Sequence, residues 1–285
     1  MVDAHTRVCG IVGDPIEHSL SPAMHNAAFQ SLGLNWVYVA FRVTDPVAAV
    51  AGIRGLGLRG CSVTIPHKLA VIPFLDRLDE VAGWIGSVNT IVNDRGVLLG
   101  MNTDGAGAVK ALTDGGVELA GKRVLVLGSG GAARAIALTL SGRAGVESIE
   151  LLGIVAEELE RLAADVRERA GASCGWALLD GARLEAGMER AELVIHCTPV
   201  GMHPRGDETP VPARLWRPGL PVMDIVYNPR ETRLLREARA AGCLVVPGFE
   251  MLLNQGVLQF EAWTGVKAPI ETMRSALVAG LNNKK

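Results

Sequence analysis

The sequence predicts an α/β protein in two parts: an N-terminal α/β domain with a mixed sheet, and a domain built on a doubly wound parallel sheet. Three observations lead there. The chain has 285 residues, more than one core of ordinary size holds at roughly 150 residues per domain. Aromatic residues make up only 4% of it and apolar residues 49%, so Ala, Val, Leu and Ile must fill the core, as in buried parallel strands and their covering helices. Short apolar runs alternate with helical patterns along most of the chain, the rhythm of β-α-β units.

Taken in order, Thr6–Val12 is a β-rich run, Pro22–Leu32 has a helical pattern, Asn35–Val43 reads as a strand and Pro46–Leu56 as a helix. Gly60–Ile65 is a further strand. Val88–Val92 and Val97–Leu99, separated by Asn93-Asp94-Arg95-Gly96, form a hairpin, which makes the first sheet mixed. A helix begins near Asp104, which can cap it. From Lys122 the rhythm is more regular: strand Arg123–Leu127, a glycine-rich turn, helix Ala132–Leu140 and strand Ser148–Leu152. The next helix sets Leu159, Leu162, Ala163, Val166 and Ala170 on one face. Strands Leu193–Cys197, Val222–Val226 and Leu244–Val246 follow, with the helix Thr232–Ala241 between the last two. Two helices, Met251–Trp263 and Pro269–Leu281, close the chain, and periodicity leaves open which domain they join.

Composition removes several classes of function. Lys and Arg number 28 against 30 Asp and Glu, so no cationic excess is available for a nucleic-acid backbone. Charged residues at 20% are too few for a disordered chain. Asp3, His5 and Arg7 stand where a signal peptide needs an apolar run. No stretch approaches the roughly 18 apolar residues of a membrane span, and the expected location is the cytoplasm. Cys9, Cys61, Cys174, Cys197 and Cys243 are scattered, with no Cys-x-x-Cys pair, which argues against disulfides and zinc. The histidines lack metal-ligand spacing and are read as surface, capping or site-lining residues, so no metal is expected.

Gly128-Ser129-Gly130-Gly131-Ala132-Ala133 follows a strand and opens a helix, the context a dinucleotide fingerprint requires. Gly128 permits the tight turn, Gly130 lets the backbone approach a pyrophosphate, and Ala133 stands where helix and strand pack closely. The helix start offers unpaired N–H groups to the anion. Cofactor choice is written roughly 25 residues on, where an acid holds a ribose 2′-hydroxyl and an arginine a 2′-phosphate. This chain has Gly153-Ile154-Val155 there, with Glu158 one turn later and no arginine. NAD is therefore expected over NADP, without a clear acidic clamp for the ribose and with NADP still usable.

Several polar groups stand at predicted strand ends and helix starts. Ser19-Leu20-Ser21-Pro22 precedes a helix, with Ser21 as its N-cap and two hydroxyls able to hold a carboxylate. Val63-Thr64-Ile65-Pro66-His67-Lys68 ends a strand, and Asn89-Thr90, Asn102-Thr103-Asp104 and the Gly248–Gln255 segment add further groups. Singly each is an ordinary cap, turn or solvated residue; together they fall where open α/β sheets bind ligands.

In that order these segments resemble the shikimate/quinate dehydrogenase family over nearly the whole chain. The matching pieces are Ser-Leu-Ser-Pro at 19–22, Val-Thr-Ile-Pro-His-Lys at 63–68, Val-Asn-Thr at 88–90, Asn-Thr-Asp at 102–104 and the glycine-rich turn. Thr-Pro-Val-Gly-Met at 198–202, Asp-Ile-Val-Tyr-Asn-Pro at 224–229 and Met-Leu-Leu-Asn-Gln at 251–255 continue the series. The resemblance implies a substrate-binding catalytic domain from 1–104 and 247–285, a Rossmann-type dinucleotide-binding domain over 105–246, and an active site in the cleft between them. It implies that Ser19 and Ser21 hold the carboxylate of a small cyclic hydroxy acid, with Tyr227 nearby. Thr64, Asn89, Asp104 and Gln255 would bind its ring hydroxyls, and Lys68 and Asp104 would form the catalytic pair. Gly128, Ser129, Gly130, Gly131, Ala132, Gly153, Ile154, Val155, Thr198, Ile225 and Gly248 would line the cofactor.

The implied reaction is the reversible NAD(P)-linked reduction of 3-dehydroshikimate to shikimate, by a monomer or homodimer. Three departures bear on it. Ser62 stands where the family usually has Asn, Gly153-Ile154-Val155 replaces the Asn-Arg-Thr of NADP users, and Glu250 replaces an often small residue. Quinate or aminoshikimate is the alternative substrate. A dinucleotide sensor is disfavoured by the retained Lys68 and Asp104, and a methylene-folate type dehydrogenase by the Ser-Leu-Ser-Pro segment.

Overall fold

The computed structural model describes residues 2–283. The chain divides into two compact units, one running to Thr103 and resuming at Gln255, the other spanning Asp104–Asn254. Among the described residues each holds one six-stranded sheet.

The first unit contains β1 (Arg7–Gly13), α1 (Ser21–Ser31), β2 (Trp36–Arg42), α2 (Pro46–Gly55), β3 (Gly60–Val63), β4 (Arg77–Leu78), α3 (Glu80–Ile85), β5 (Thr90–Asp94) and β6 (Val97–Met101). The sheet order is β2-β1-β3-β5-β6-β4. β1 is parallel to β2 and β3, whereas β5 runs antiparallel to β3 and β6. This is the mixed sheet the hairpin predicts. Val12, Ile53, Val63, Val71, Ile91 and Leu98 form its buried apolar centre. Asp45 caps α2 by accepting from the Val47 and Ala48 N–H groups, with Pro46 in the first turn where no N–H is needed. The closing helices are α9 (Gly248–Thr264) and α10 (Ile270–Asn283). Trp263 of α9 is buried and its indole N–H donates to the Ile91 carbonyl at 3.0 Å. α10 packs against α1.

Two details differ from the sequence expectation. Ser21 is the first residue of α1 rather than its N-cap, which is Leu20. The Met24 N–H that a Ser21 cap would take bonds instead to the Leu20 carbonyl at 3.1 Å, so the helix winds one residue further back. The Ser21 N–H is met by the Ser19 hydroxyl at 3.3 Å. β4 and α3 have no counterpart in the sequence reading; the strand is two residues long and the helix six.

The second unit contains α4 (Asp104–Asp114), β7 (Arg123–Leu127), α5 (Gly131–Arg143), β8 (Ser148–Gly153), α6 (Ala156–Ala170), β9 (Ser173–Leu178), α7 (Gly181–Arg190), β10 (Leu193–His196), β11 (Pro221–Asp224), α8 (Arg233–Ala240) and β12 (Leu244–Pro247). All its strands are parallel, in the order β12-β11-β10-β7-β8-β9. The chain moves outward from β7 to β9, then returns to β10 on the other side, so the order reverses beside β7, the switch point of a doubly wound sheet. α6 buries Leu159, Leu162, Ala163 and Val166, four of the five residues of its expected stripe. β9 and α7 were not expected. β9 is an edge strand with only Cys174 fully buried, so it lacks an apolar run, and α7 carries two glycines behind its Asp180 cap.

The five cysteines are free, and burial pushes the Cys9 thiol up to about 12 and the Cys174 thiol to about 11. No helix among the described residues is long and apolar enough to cross a membrane. The expectation of surface, capping or site-lining histidines fails at His25, which is wholly buried. Its ring stacks on Tyr38 at 4.6 Å and lies 5.2 Å from Trp263, and neither ring nitrogen has a hydrogen-bond partner among the described residues. Burial alone pulls its pKa down to about 3. The folded chain therefore keeps His25 neutral while the unfolded chain takes up a proton below about pH 6.5, so stability present above that pH is lost as pH falls toward 3. Between pH 7 and pH 5, His25→Phe should lose about 2 kcal/mol less unfolding free energy than the unaltered protein, read by urea denaturation at each pH. Parallel losses would mean that the folded ring protonates.

Candidate active site

In the first unit, backbone pairing assembles the residues singled out by sequence. The Val63 N–H donates to the Asn89 carbonyl at 2.8 Å, the Thr64 N–H to Val12 at 3.0 Å, and the Val88 N–H to the Lys68 carbonyl at 2.8 Å. His67, another buried histidine, ties the intervening turn to the Val43 carbonyl at 2.6 Å. Thr64, Lys68 and Asn89 are thus brought together where β3 ends and β5 begins. Thr64 and Lys68 are half-buried, Asn89 and Gln255 buried.

Behind them runs a chain of buried side-chain hydrogen bonds. The Tyr38 hydroxyl donates to Ser62 at 2.6 Å, and Ser62 donates to Gln259 Oε1 at 2.8 Å. Gln259 Nε2 donates to Thr90 Oγ1 at 2.9 Å and to the Asn89 carbonyl at 3.2 Å. Thr90 donates to Asn89 Oδ1 at 2.7 Å, and that oxygen also accepts from the Thr103 N–H at 2.9 Å. Asn89 Nδ2 reaches Thr103 Oγ1 at 2.9 Å and Gln255 Oε1 at 3.4 Å. Burial drives the Tyr38 phenol well above its ordinary range and keeps it a donor. One connected network therefore joins Tyr38 to Asn89 and Gln255. Sequence reasoning missed Tyr38 and Gln259. The signals available were Gln259 lying one turn after Gln255 on α9, and the small Ser62 in place of Asn.

In the second unit, the cofactor candidates gather at the C-terminal ends of adjacent strands. Gly128 has φ 118°, and a Cβ there would stand 3.0 Å from the Cys197 carbonyl oxygen and 3.2 Å from Thr198 Cγ2. Its N–H donates to the Leu152 carbonyl at 2.7 Å, tying the turn to β8. Helix α5 starts at Gly131 behind the cap residue Gly130, with no side-chain cap among the described residues. The turn Gly128–Ala132 is thus a backbone cradle of N–H groups, which fits a pyrophosphate. The Ile225 N–H donates to the His196 carbonyl at 3.0 Å, and a Cβ on Gly248 would meet the Ile225 carbonyl oxygen at 2.5 Å. Gly128, Thr198, Ile225 and Gly248 therefore lie just past the C-terminal ends of β7, β10, β11 and β12. Gly153 ends β8, followed by Ile154, which is 84% exposed, and Val155. Ser129 donates to Glu158 Oε2 at 2.7 Å, so the Glu158 carboxylate reaches the glycine turn.

Tyr227 follows β11 and is half-buried, and burial pushes its phenol up to about 12. Asp104 opens α4 directly after Thr103 and is buried. By chain division Asp104 and Tyr227 fall in the second unit, and the other expected substrate residues, with Lys68, in the first. α4 lies against α5 through Gly105, where a Cβ would stand 2.0 Å from Thr139 Oγ1 and 2.7 Å from the Ala135 carbonyl oxygen. Gly105→Ala should force α4 off α5 and cost about 1–3 kcal/mol, lowering Tm by several degrees. Adding Thr139→Ala should recover only part of the loss in a thermal melt, because the Ala135 backbone still obstructs. An unchanged Tm in the single variant would refute this packing.

The family profile of the shikimate dehydrogenase substrate binding domain matches residues 11–91, and that of the shikimate 5′-dehydrogenase C-terminal domain matches residues 248–278. The chain is 47% identical to the shikimate dehydrogenase (NADP(+)) of Moorella thermoacetica, covering 97% of this chain and 94% of the relative. It is 46% identical to that of Methanopyrus kandleri, covering 98% of each. A crystal structure of shikimate 5-dehydrogenase from Listeria monocytogenes in complex with shikimate and NAD is similar at a TM-score of 0.89 and 37% identity, over 97% of this chain and 98% of that one. With two α/β units, a parallel sheet carrying a glycine cradle, and this likeness over nearly its full length, the chain belongs to the shikimate/quinate dehydrogenase family of NAD(P)-dependent oxidoreductases.

Proposed function

We propose that the chain interconverts 3-dehydroshikimate and shikimate, using NAD in preference to NADP. The observation that carries the substrate reading is the Asn89 node. A buried amide whose Oδ1 is committed to the Thr103 N–H must turn Nδ2 toward Gln255. That 3.4 Å contact is the longest link in the network, and a ring hydroxyl can displace it with little loss. Ser19 and Ser21 offer neutral hydroxyls and a helix start to a monoanion, without a buried cation to desolvate.

The bound dinucleotide supplies or accepts the hydride at the ring carbon bearing oxygen. Lys68 handles the proton: its ammonium donates to the ketone oxygen as the alcohol forms, and its neutral amine takes the hydroxyl proton in the reverse direction. Asp104 serves as the second member of the pair and binds a neighbouring hydroxyl of the ring. Tyr227 remains a neutral phenol at physiological pH, a donor beside the carboxylate. Lys68→Ala should lower kcat by roughly a hundredfold or more with KM changed little. Ser19→Ala should raise KM for the acid more than it lowers kcat. Steady-state kinetics on a panel of shikimate, quinate and aminoshikimate tests both variants and the substrate. An unaltered kcat in Lys68→Ala removes the lysine from its role, and a higher kcat/KM for quinate or aminoshikimate replaces the substrate.

The NAD reading rests on the end of β8. The Moorella and Methanopyrus relatives carry NADP(+) in their names, and the Listeria structure contains NAD. In this chain β8 ends on Gly153, Ile154 and Val155 follow with no cation, and the Glu158 carboxylate accepts from Ser129 of the glycine turn. A 2′-phosphate there meets a negative charge, whereas a 2′-hydroxyl meets an acceptor. kcat/KM should favour NAD, and Glu158→Gln should raise the value for NADP by roughly three- to tenfold with NAD altered less. Equal changes with the two cofactors would refute the charge argument.

A further inference from the structure

At the end of β10 lies a buried relay that the proposed mechanism does not use. His196 and Asp224 are register partners on β10 and β11, and both are wholly buried. The imidazole Nδ1 is 2.9 Å from Asp224 Oδ1, and Nε2 hydrogen-bonds Thr198 Oγ1. The hydrogen-bond directions can be assigned in turn. Thr232 caps α8 by accepting from the Leu235 N–H at 3.2 Å, so its own hydroxyl proton goes to Asp224 Oδ2, 2.6 Å away. Asp224 Oδ1 accepts from the Val226 N–H at 3.0 Å. Both carboxylate oxygens are therefore acceptors, and the proton between Asp224 and His196 resides on Nδ1. With that one proton alone on the ring, Nε2 presents a lone pair that takes the Thr198 hydroxyl proton. Thr198 Oγ1 also receives the Val200 N–H at 3.3 Å. What remains of that hydroxyl toward the strand ends is a lone pair.

We propose that His196 is a positioning residue that fixes Thr198 as a hydrogen-bond acceptor for the nicotinamide half of the dinucleotide. This rests on the dinucleotide reading above. Thr198 borders the glycine cradle, 3.2 Å from where a Gly128 Cβ would stand, on the β10 side of the switch point, opposite the β8 end that takes the adenosine half. An acceptor there repels a phosphate oxygen and suits an N–H or O–H, so its partner is the carboxamide or a ribose hydroxyl. Asp224 and Thr232 act one step behind, holding the tautomer.

The first test needs no cofactor. A nitrogen-15 histidine spectrum of the unliganded protein at neutral pH should show His196 protonated at Nδ1 and bare at Nε2; a proton at Nε2 overturns the proposal. The second is NAD binding by calorimetry. Thr198→Val and His196→Phe should each weaken it roughly tenfold, and the double variant by no more than either alone, because both remove one bond. His196→Asn, with a donor and an acceptor on adjacent atoms, should bind within about threefold of the unaltered protein. Multiplying losses, or an Asn variant as weak as Phe, overturn the role, and the spectrum decides the matter should His196→Phe not fold. Repeating the Thr198→Val comparison with the 3-acetylpyridine analogue, which lacks the amide N–H, separates the two sources. A vanished penalty supports the carboxamide, a persisting one the ribose hydroxyl, and no penalty with either dinucleotide overturns the contact. Failure of the unaltered protein to bind NAD or NADP overturns the dinucleotide reading itself, and with it the part assigned to Thr198.

Discussion

Asn89 cannot turn its side chain over. Its Oδ1 faces a backbone N–H, that of Thr103, which has no alternative orientation, and its carbonyl accepts from both Val63 and Gln259. The residue is 2% exposed, so each of these polar atoms would cost on the order of 1–3 kcal/mol if left unpaired. That cost couples four parts of the chain far apart in sequence: the end of β3, the start of β5, the segment entering α4, and α9. Lys68 is held to the same place by the Val88 N–H, the neighbour of Asn89. The placement of the expected substrate-side groups in the first unit depends on one amide having a single satisfactory orientation.

The second unit meets the corresponding problem with backbone instead of side chains. Gly128 stands where any side chain would strike the Cys197 carbonyl, and Gly248 where it would strike Ile225. These absences bring the strand ends close enough for main-chain groups to line a cradle. The side chains just beneath them, His196, Asp224, Thr198 and Thr232, are bound to one another in a fixed polarity. A buried polar relay so fully satisfied resists rotation of any one member. Preorganised donors and acceptors of this kind are what hydride transfer requires, because the reaction needs alignment more than it needs chemical groups.

The fold was legible in the sequence wherever a local signal existed. The apolar strand runs and most of the α6 stripe survive in the structure, as does the glycine turn between β7 and α5, because each is dictated within a window of about ten residues. β9 failed that test, being an edge strand whose single buried residue gives no run. Ser21 was misplaced by one position because cap geometry depends on which carbonyl the following N–H groups choose. The wider gap lies in the polar interior. Ser62 and Gln259 are 197 residues apart and Gln259 and Asn89 170, and no periodicity announces such pairs. Ser62 attracted notice only as a departure from a family pattern; the structure gives it a reason, since a short hydroxyl fits between Tyr38 and Gln259. His25 and His196 were misjudged for the same cause, because burial of an imidazole is decided by distant aromatic or acidic neighbours.

The contrast between the two units also explains where variation can enter without loss of the reaction. Groups around Asn89 and Lys68 are interlocked, so a change in one leaves a buried partner unsatisfied. The end of β8 is different: Ile154 and Glu158 are exposed, and the main-chain bond from Gly128 to Leu152 holds the turn whatever side chains follow. A residue there can change charge without disturbing the cradle, altering only what the adenosine ribose would meet in the proposed placement. Under the dinucleotide placement proposed above, selection between a hydroxyl and a phosphate on that ribose is thus separable from hydride transfer at the strand ends beyond β7. Electrostatics at an exposed strand end and alignment at a buried one depend on different residues, so a change in the first need not disturb the second.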